Sequence, residues 1–182
     1  MTTFLFNVFK RRFIWIPLYA FGLGGGLFCL ISGFQFLNYT DRGRDKFDMP
    51  TAVTFEEGTF QDALTKAKNL DKPIFIDFYT GWCTPCLSLH KNVLTDSEVG
   101  KYMNRAFINV KYDAERGEGI ELAERYGVKA YPTLVVVNWK GELVESINDR
   151  FAPQKEEMIL IAKKYIGQQS ADNIIKLSGD RQ

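Results

Sequence analysis

Two hydrophobic regimes divide the chain. From Phe13 to Leu37 there is no charged residue, and Phe, Leu, Ile and Gly dominate. A helix over that stretch reaches about 37 Å, enough to cross a hydrocarbon core of about 30 Å with some tilt. Beyond it the apolar positions recur with short periods. Residues 38–50, with Asp41, Arg42, Arg44, Asp45 and Lys46 before Pro50, lose the apolar character abruptly and read as a linker. Thr51 to Phe55 is expected as a short strand. Phe60, Ala63, Leu64 and Ala67 recur at helical spacing and predict a helix over 59–70. Ile74 to Tyr79 is a nearly continuous apolar run, the pattern of a strand buried on both faces.

A second helix is expected from Cys83 to about Met103, interrupted at Thr95-Asp96-Ser97-Glu98, where Glu98 stands three residues after Thr95 as in a fresh amino-terminal cap. Ala106 to Lys111 reads as a strand, and Gly119 to Tyr126 as a helix stopped by Gly127. Thr133 to Val137 is a strand that turns through Asn138-Trp139-Lys140-Gly141 into a hairpin partner over 142–147. Pro153 to Ile166 is an amphipathic closing helix. The chain thus divides into an amino-terminal piece (1–12), an apolar span (13–37), a linker (38–50), a folded domain (51–167) and a frayed tail (168–182). The order β-α-β-α-β-α-β-β-α requires a mixed sheet with helices on both faces, an α/β fold preceded by one transmembrane helix.

Charge orients the apolar span. Lys10-Arg11-Arg12 precedes it with no nearby acid, whereas the far side mixes signs, so residues 1–12 are expected in the cytoplasm and the rest outside. Trp15, Tyr19 and Tyr39 suit the two interfaces. A cleaved signal peptide is the rival reading, but the span is long for one, and Gly33-Phe34-Gln35-Phe36-Leu37-Asn38 lacks a small-x-small cleavage pattern. Lipid attachment at Cys29 is disfavoured by the bulky Phe28. Gly22 and Gly26 have the spacing that lets membrane helices approach closely, although glycine is common in such helices anyway.

Composition narrows the partners. The 182 residues are 46% hydrophobic with a formal net charge of +1, and no basic stripe lies outside the first dozen residues, so nucleic acid is not an expected partner. Candidate chemistry concentrates in Trp82-Cys83-Thr84-Pro85-Cys86, where two of three cysteines stand just after the apolar strand. A helix starting there aims free N–H groups and its positive end at Cys83, which favours thiolate over thiol, and Cys86 follows one turn later. A structural zinc site needs four ligands, and besides this pair the chain offers only His90 and Cys29. No metal is therefore expected. An inert structural disulfide remains as a second alternative to redox chemistry.

The element order and the dithiol together resemble the thioredoxin superfamily, over roughly Val53 to Ile166. Trp82, Cys83, Pro85 and Cys86 match its Trp-Cys-x-Pro-Cys motif, with Thr84 in place of the usual glycine. The resemblance implies that Cys83 is the exposed attacking thiol and Cys86 the resolving one, with no cofactor beyond a redox-active Cys83–Cys86 disulfide. It makes Asp77, six residues before Cys83 in an apolar strand, the buried acid that accepts the resolving thiol's proton. Desolvation there disfavours the charged form, which suits proton transfer. Lys111 matches a lysine found near that acid. Tyr131-Pro132-Thr133 resembles the family's cis-proline signature, which implies that Tyr131 and Pro132 face the dithiol and meet substrate. Trp82 is expected to form a hydrophobic lip. His90 is expected to be a solvated or capping residue, with tuning of a thiolate as the sharper possibility.

The runs Lys72 to Phe78 and Leu94 to Val99 flanking the dithiol look like the thioredoxin-like domains of membrane thiol:disulfide interchange proteins. That resemblance implies an inner-membrane protein of a bacterial envelope, held through residues 13–37, acting outside the cytoplasm on protein disulfides or dithiols. It also implies a separate electron donor, since one apolar helix relays no electrons. Reduction or isomerisation is expected over oxidation. A noncatalytic binding module using the surface around Trp82 and Tyr131 is the alternative.

Overall fold

The computed structural model describes residues 46–147 and 152–179, with side chains to 171. The apolar span 13–37, its flanks 1–12 and 38–45, and with them Cys29 and the Gly22/Gly26 pair, lie outside the described residues. Among the described residues no helix is long and apolar enough to cross a membrane.

The elements are helix α1 (Phe60–Leu70), strand β1 (Ile74–Tyr79), helices α2 (Thr84–Asn92) and α3 (Ser97–Ala106), strand β2 (Ile108–Asp113), helix α4 (Glu118–Arg125), strands β3 (Thr133–Val137) and β4 (Leu143–Ile147), and helix α5 (Lys155–Gly179). They build a four-stranded sheet in the order β2-β1-β3-β4. β2 runs parallel to β1, β3 antiparallel to β1, and β4 antiparallel to β3. This is the expected mixed α/β sheet. Every residue of central β1 is buried, and alternate side chains feed two cores. Ile74, Ile76 and Phe78 pack with Phe60, Ala63 and Ala67 of α1 and Leu122 of α4. Phe75 packs with Leu89 of α2, Val99 and Met103 of α3, and Met158 and Ala162 of α5. The period of two then directs Asp77 to the α2 side.

Several boundaries move, each for a local reason. Thr51 to Phe55 makes only a single bridge, Phe55 to Asn109, instead of a strand. Its N–H groups are engaged elsewhere: those of Ala52 and Val53 donate to the Leu94 carbonyl at 2.8 and 3.0 Å, and that of Thr54 to Asn104 Oδ1. Gly100 permits this close approach, because a Cβ built there would stand 2.4 Å from the Ala52 carbonyl oxygen. The break between α2 and α3 occurs as expected, but its cap is Asp96, whose Oδ1 accepts from the N–H groups of Glu98 and Val99. Thr95 instead donates its hydroxyl to the Lys91 carbonyl at 2.7 Å, closing the helix behind it.

The two ends of the domain also shift. Strand β2 begins at Ile108 because α3 runs through Ala106. The closing helix begins at Lys155 and runs to Gly179, well into the segment expected to fray, and Gln169 donates to the Ala106 carbonyl at 2.8 Å. At the other end, residues 46–50 were expected as linker, yet Phe47 is 1% exposed and joins the core. The domain is longer than the periodic pattern because both extensions are held by contacts with residues distant in sequence.

Candidate functional site

The site lies where β1 gives way to α2. The chain turns through Thr80, Gly81 and Trp82, with the Cys83 N–H donating to the Thr80 carbonyl at 3.0 Å. Cys83 is the N-cap of α2, and its sulfur accepts from the Cys86 N–H at 3.1 Å. Pro85 sits in the first turn, where a missing N–H costs no helical bond. Cys83 and Cys86 are joined as a disulfide with an S–S distance of 2.02 Å. The sulfur nearest the helix start thus receives both a backbone donor and the positive end of the helix dipole.

On β1, the strand that leads into α2, Asp77 is fully buried, and its Oδ2 lies 2.6 Å from His90 Nε2, also fully buried. His90 is therefore not a solvated or capping residue. It follows Cys86 by four residues, so the two share one face of α2, and that face packs on the sheet. This spacing was the available signal; what it lacked was the knowledge that this face of α2 packs against Asp77. Lys111 is the register partner of Asp77 on β2. Its ammonium, however, donates to the Phe47 carbonyl and lies 3.7 Å from Asp48 Oδ1. The structure brings its backbone beside the acid and sends its charge to the amino-terminal segment.

That segment supplies the residue sequence reasoning missed. Phe47 stacks on Tyr79 with ring centroids 4.3 Å apart and meets the His90 ring edge-on at 4.9 Å. Phe47, Tyr79, Cys83 and Cys86 form one buried cluster, with Leu87 and Tyr131 packed against it. Cys83 is 3% exposed, so the attacking sulfur expected at the surface is covered in the disulfide form. A lone Phe between Lys46 and Asp48 carries no periodic signal, because its burial depends wholly on distant partners.

The rim is aromatic and acidic. Trp82 is 63% exposed, its ring meets Tyr131 edge-on at 5.9 Å, and its Nε1 donates to the Glu115 carboxylate at 3.0 Å. The Tyr131-Pro132 bond is cis. Partial burial, reinforced by the carboxylates of Glu115 and Asp113, pushes the Tyr131 hydroxyl above its ordinary range. Among the described residues no group of three or more His, Cys, Asp or Glu side chains converges as metal ligands would.

Comparison with known proteins places these features. A family model described as thioredoxin-like matches residues 54–138. Thioredoxin-1 of Drosophila melanogaster is 42% identical over 73 residues, 40% of this chain and 64% of that protein. The chloroplastic thioredoxin Y2 of Arabidopsis thaliana is 36% identical over 91 residues, covering 50% of this chain and 52% of its own. The chain thus spans between about half and two thirds of these relatives' lengths. Among solved structures, a disulphide-isomerase candidate from Bacteroides thetaiotaomicron is 42% identical with a TM-score of 0.55, over 65% of this chain and 96% of that one. A thioredoxin from Thermus thermophilus, 23% identical with a TM-score of 0.54, shares the fold over 62% of this chain and 86% of its own.

Proposed function

Because the chain belongs to the thioredoxin superfamily, we propose that it is a membrane-anchored, extracytoplasmic thiol:disulfide oxidoreductase that reduces or isomerises disulfides of exported proteins. The observation that carries this reading is Cys83 at the start of α2, its sulfur accepting the Cys86 N–H, with a fully buried acid, Asp77, on the strand that leads into the helix. In the reduced protein the Cys83 thiolate attacks one sulfur of a substrate disulfide. The Cys83–substrate bond forms, the substrate disulfide breaks, and the departing sulfur takes a proton from water. Cys86 then passes its thiol proton to Asp77 and attacks Cys83 Sγ. The Cys83–Cys86 bond forms, the second substrate sulfur leaves with its electron pair, and two electrons have moved to substrate.

Trp82, Tyr131 and Pro132 form the rim on which an extended substrate segment rests. No cofactor beyond the disulfide takes part, and a separate dithiol donor outside the cytoplasm restores the reduced pair. Residues 13–37 hold the protein in a bacterial inner membrane with residues 1–12 in the cytoplasm, as the Lys10-Arg11-Arg12 cluster favours. Lys111 is assigned to holding the amino-terminal segment over the site, through its bond to the Phe47 carbonyl.

The test is the reduction potential of Cys83–Cys86 in the full-length protein, measured by glutathione equilibration and alkylation. A value near about −270 mV supports the reductant, whereas one near about −120 mV reassigns the protein as an oxidant of exported thiols. Failure of the pair to exchange with glutathione would leave the noncatalytic binding module as the reading.

A further inference from the structure

The two oxygens of Asp77 are treated differently. Oδ2 is held by His90 Nε2 at 2.6 Å, while Oδ1, equally buried, has no hydrogen-bond partner among the described residues. A buried carboxylate oxygen left unpaired is costly and calls for an explanation other than fold stability. The imidazole that holds its neighbour is itself fixed. Phe47 meets its edge at 4.9 Å, Phe55 lies parallel at 6.0 Å and Tyr79 stands at 5.9 Å.

Helix geometry says where the pair points. Side chains lean toward the amino-terminal end of their helix, so the His90 ring covers the preceding turn, the one that carries Cys86. Residues four apart have Cβ atoms only about 5–6 Å apart. Asp77, bound to that ring, is thereby drawn under the turn of the resolving cysteine. Lys111, the register partner of Asp77 on β2, is occupied by the Phe47 carbonyl and Asp48.

We propose that His90 is a positioning residue for the resolving step: its Nε2–H pins Asp77 Oδ2, leaving Oδ1 as the acceptor for the Cys86 thiol proton. The proposal rests on the reading of Asp77 as that acceptor. The proton moves from Cys86 Sγ to Asp77 Oδ1 as the Cys86–Cys83 bond forms and the Cys83–substrate bond breaks. His90 neither gains nor loses a proton. Attack by Cys83 on substrate, the earlier step, does not pass through the pair.

The experiment follows both steps in the reduced full-length protein after mixing with glutathione disulfide, by acid quench and mass measurement of the Cys83–glutathione adduct. His90→Leu is expected to slow adduct resolution by about tenfold or more, the scale of one hydrogen bond to a charged group. Adduct formation should stay within about twofold of the parent. His90→Gln, which keeps an N–H able to reach Oδ2, should recover most of the resolution rate. Asp77→Asn run in parallel should slow the same step, and adding His90→Leu to it should slow it no further.

If Asp77→Asn is slow and His90→Leu resolves like the parent, the positioning role is overturned while the acid's role stands. If Asp77→Asn also resolves like the parent, both fail. Equal slowing of formation and resolution in His90→Leu, without recovery in His90→Gln, would make His90 a packing residue and sink the proposal. Should His90→Leu not fold, His90→Asn, polar but too short to reach Oδ2, decides in its place by the same two rates.

Discussion

Helices α2 and α3 follow one another along the chain, span 9 and 10 residues, and each begins on a side chain that accepts a backbone N–H. Their caps differ in what surrounds them. Asp96 accepts two N–H groups and the Lys155 ammonium at 2.7 Å, at a partly exposed site where charge is easily kept. Cys83 accepts one and is buried, and the strand, turn and helix that carry the dithiol hold Asp77 Oδ1, Thr80 Oγ1 and His90 Nδ1, buried with no hydrogen-bond partner among the described residues. At α3 the positive end of the helix is neutralised by a carboxylate and serves stability. At α2 it faces a sulfur held in a disulfide, and buried polar groups on the same strand, turn and helix are left incompletely satisfied, as reactive sites tend to be.

Substitution at the two caps should separate these roles most sharply. Cys83→Ser keeps a side chain that caps helices well, so the helix should persist while insulin reduction falls to background. Activity retained in that variant would end the nucleophile assignment. Asp96→Ala should do the reverse, lowering the melting temperature while leaving the exchange rate of the dithiol intact.

The cover over the α2 cap comes next in size. Phe47→Ala removes a fully buried ring, and losses of this kind cost about 3–5 kcal/mol. Denaturant melts of the oxidised protein should show that loss, and in the reduced protein iodoacetamide should reach Cys83 faster than in the parent. An unchanged alkylation rate would mean that Phe47 packs beside the site without shielding it. Near the α3 cap, Gly100→Ala forces a Cβ against the Ala52 carbonyl. Overpacking of this kind costs about 1–3 kcal/mol, readable in the same melts, and it should leave alkylation of Cys83 unaffected.

The smallest effect is electrostatic. The hydrogen bond from Lys155, with those from backbone N–H groups, holds the Asp96 carboxyl below its usual range. A carboxyl lowered on folding stabilises the fold above its unfolded value, about 3.9, and that stabilisation disappears as pH falls through the lower folded value. Asp96→Asn, which can still cap, should therefore flatten the acid limb of the stability profile without changing it at neutral pH beyond loss of an exposed ion pair. Equal acid sensitivity in parent and variant would show that the pair with Lys155 is immaterial.

The regular elements were legible because their signals are local. Ile74 to Tyr79 and Thr133 to Val137 form strands at the expected boundaries, since a six- or five-residue apolar run between turn residues has few other ways to be buried. The dithiol's place at a strand-to-helix junction was legible for the same reason. The strand expected over 51–55 was not realised, because its donors met Leu94 and Asn104, residues no periodicity could bring into view. The cap at Asp96 in place of Thr95 turned on one hydroxyl choosing the Lys91 carbonyl.

By itself, then, the sequence determined the alternation of strands and helices, the α/β class, the cysteine pair and the acid six residues ahead of it. These follow from periods of two and about 3.6 that the backbone imposes on any chain. Only the tertiary structure decided that Asp77 pairs with His90 while Lys111 turns to Phe47, and that Phe47, Tyr79 and Tyr131 pack into one cluster with Cys83. Those choices belong to buried polar groups and isolated aromatics. Each finds its partner only once the sheet and α2 are packed, where the low dielectric makes one arrangement of hydrogen bonds much better than its rivals.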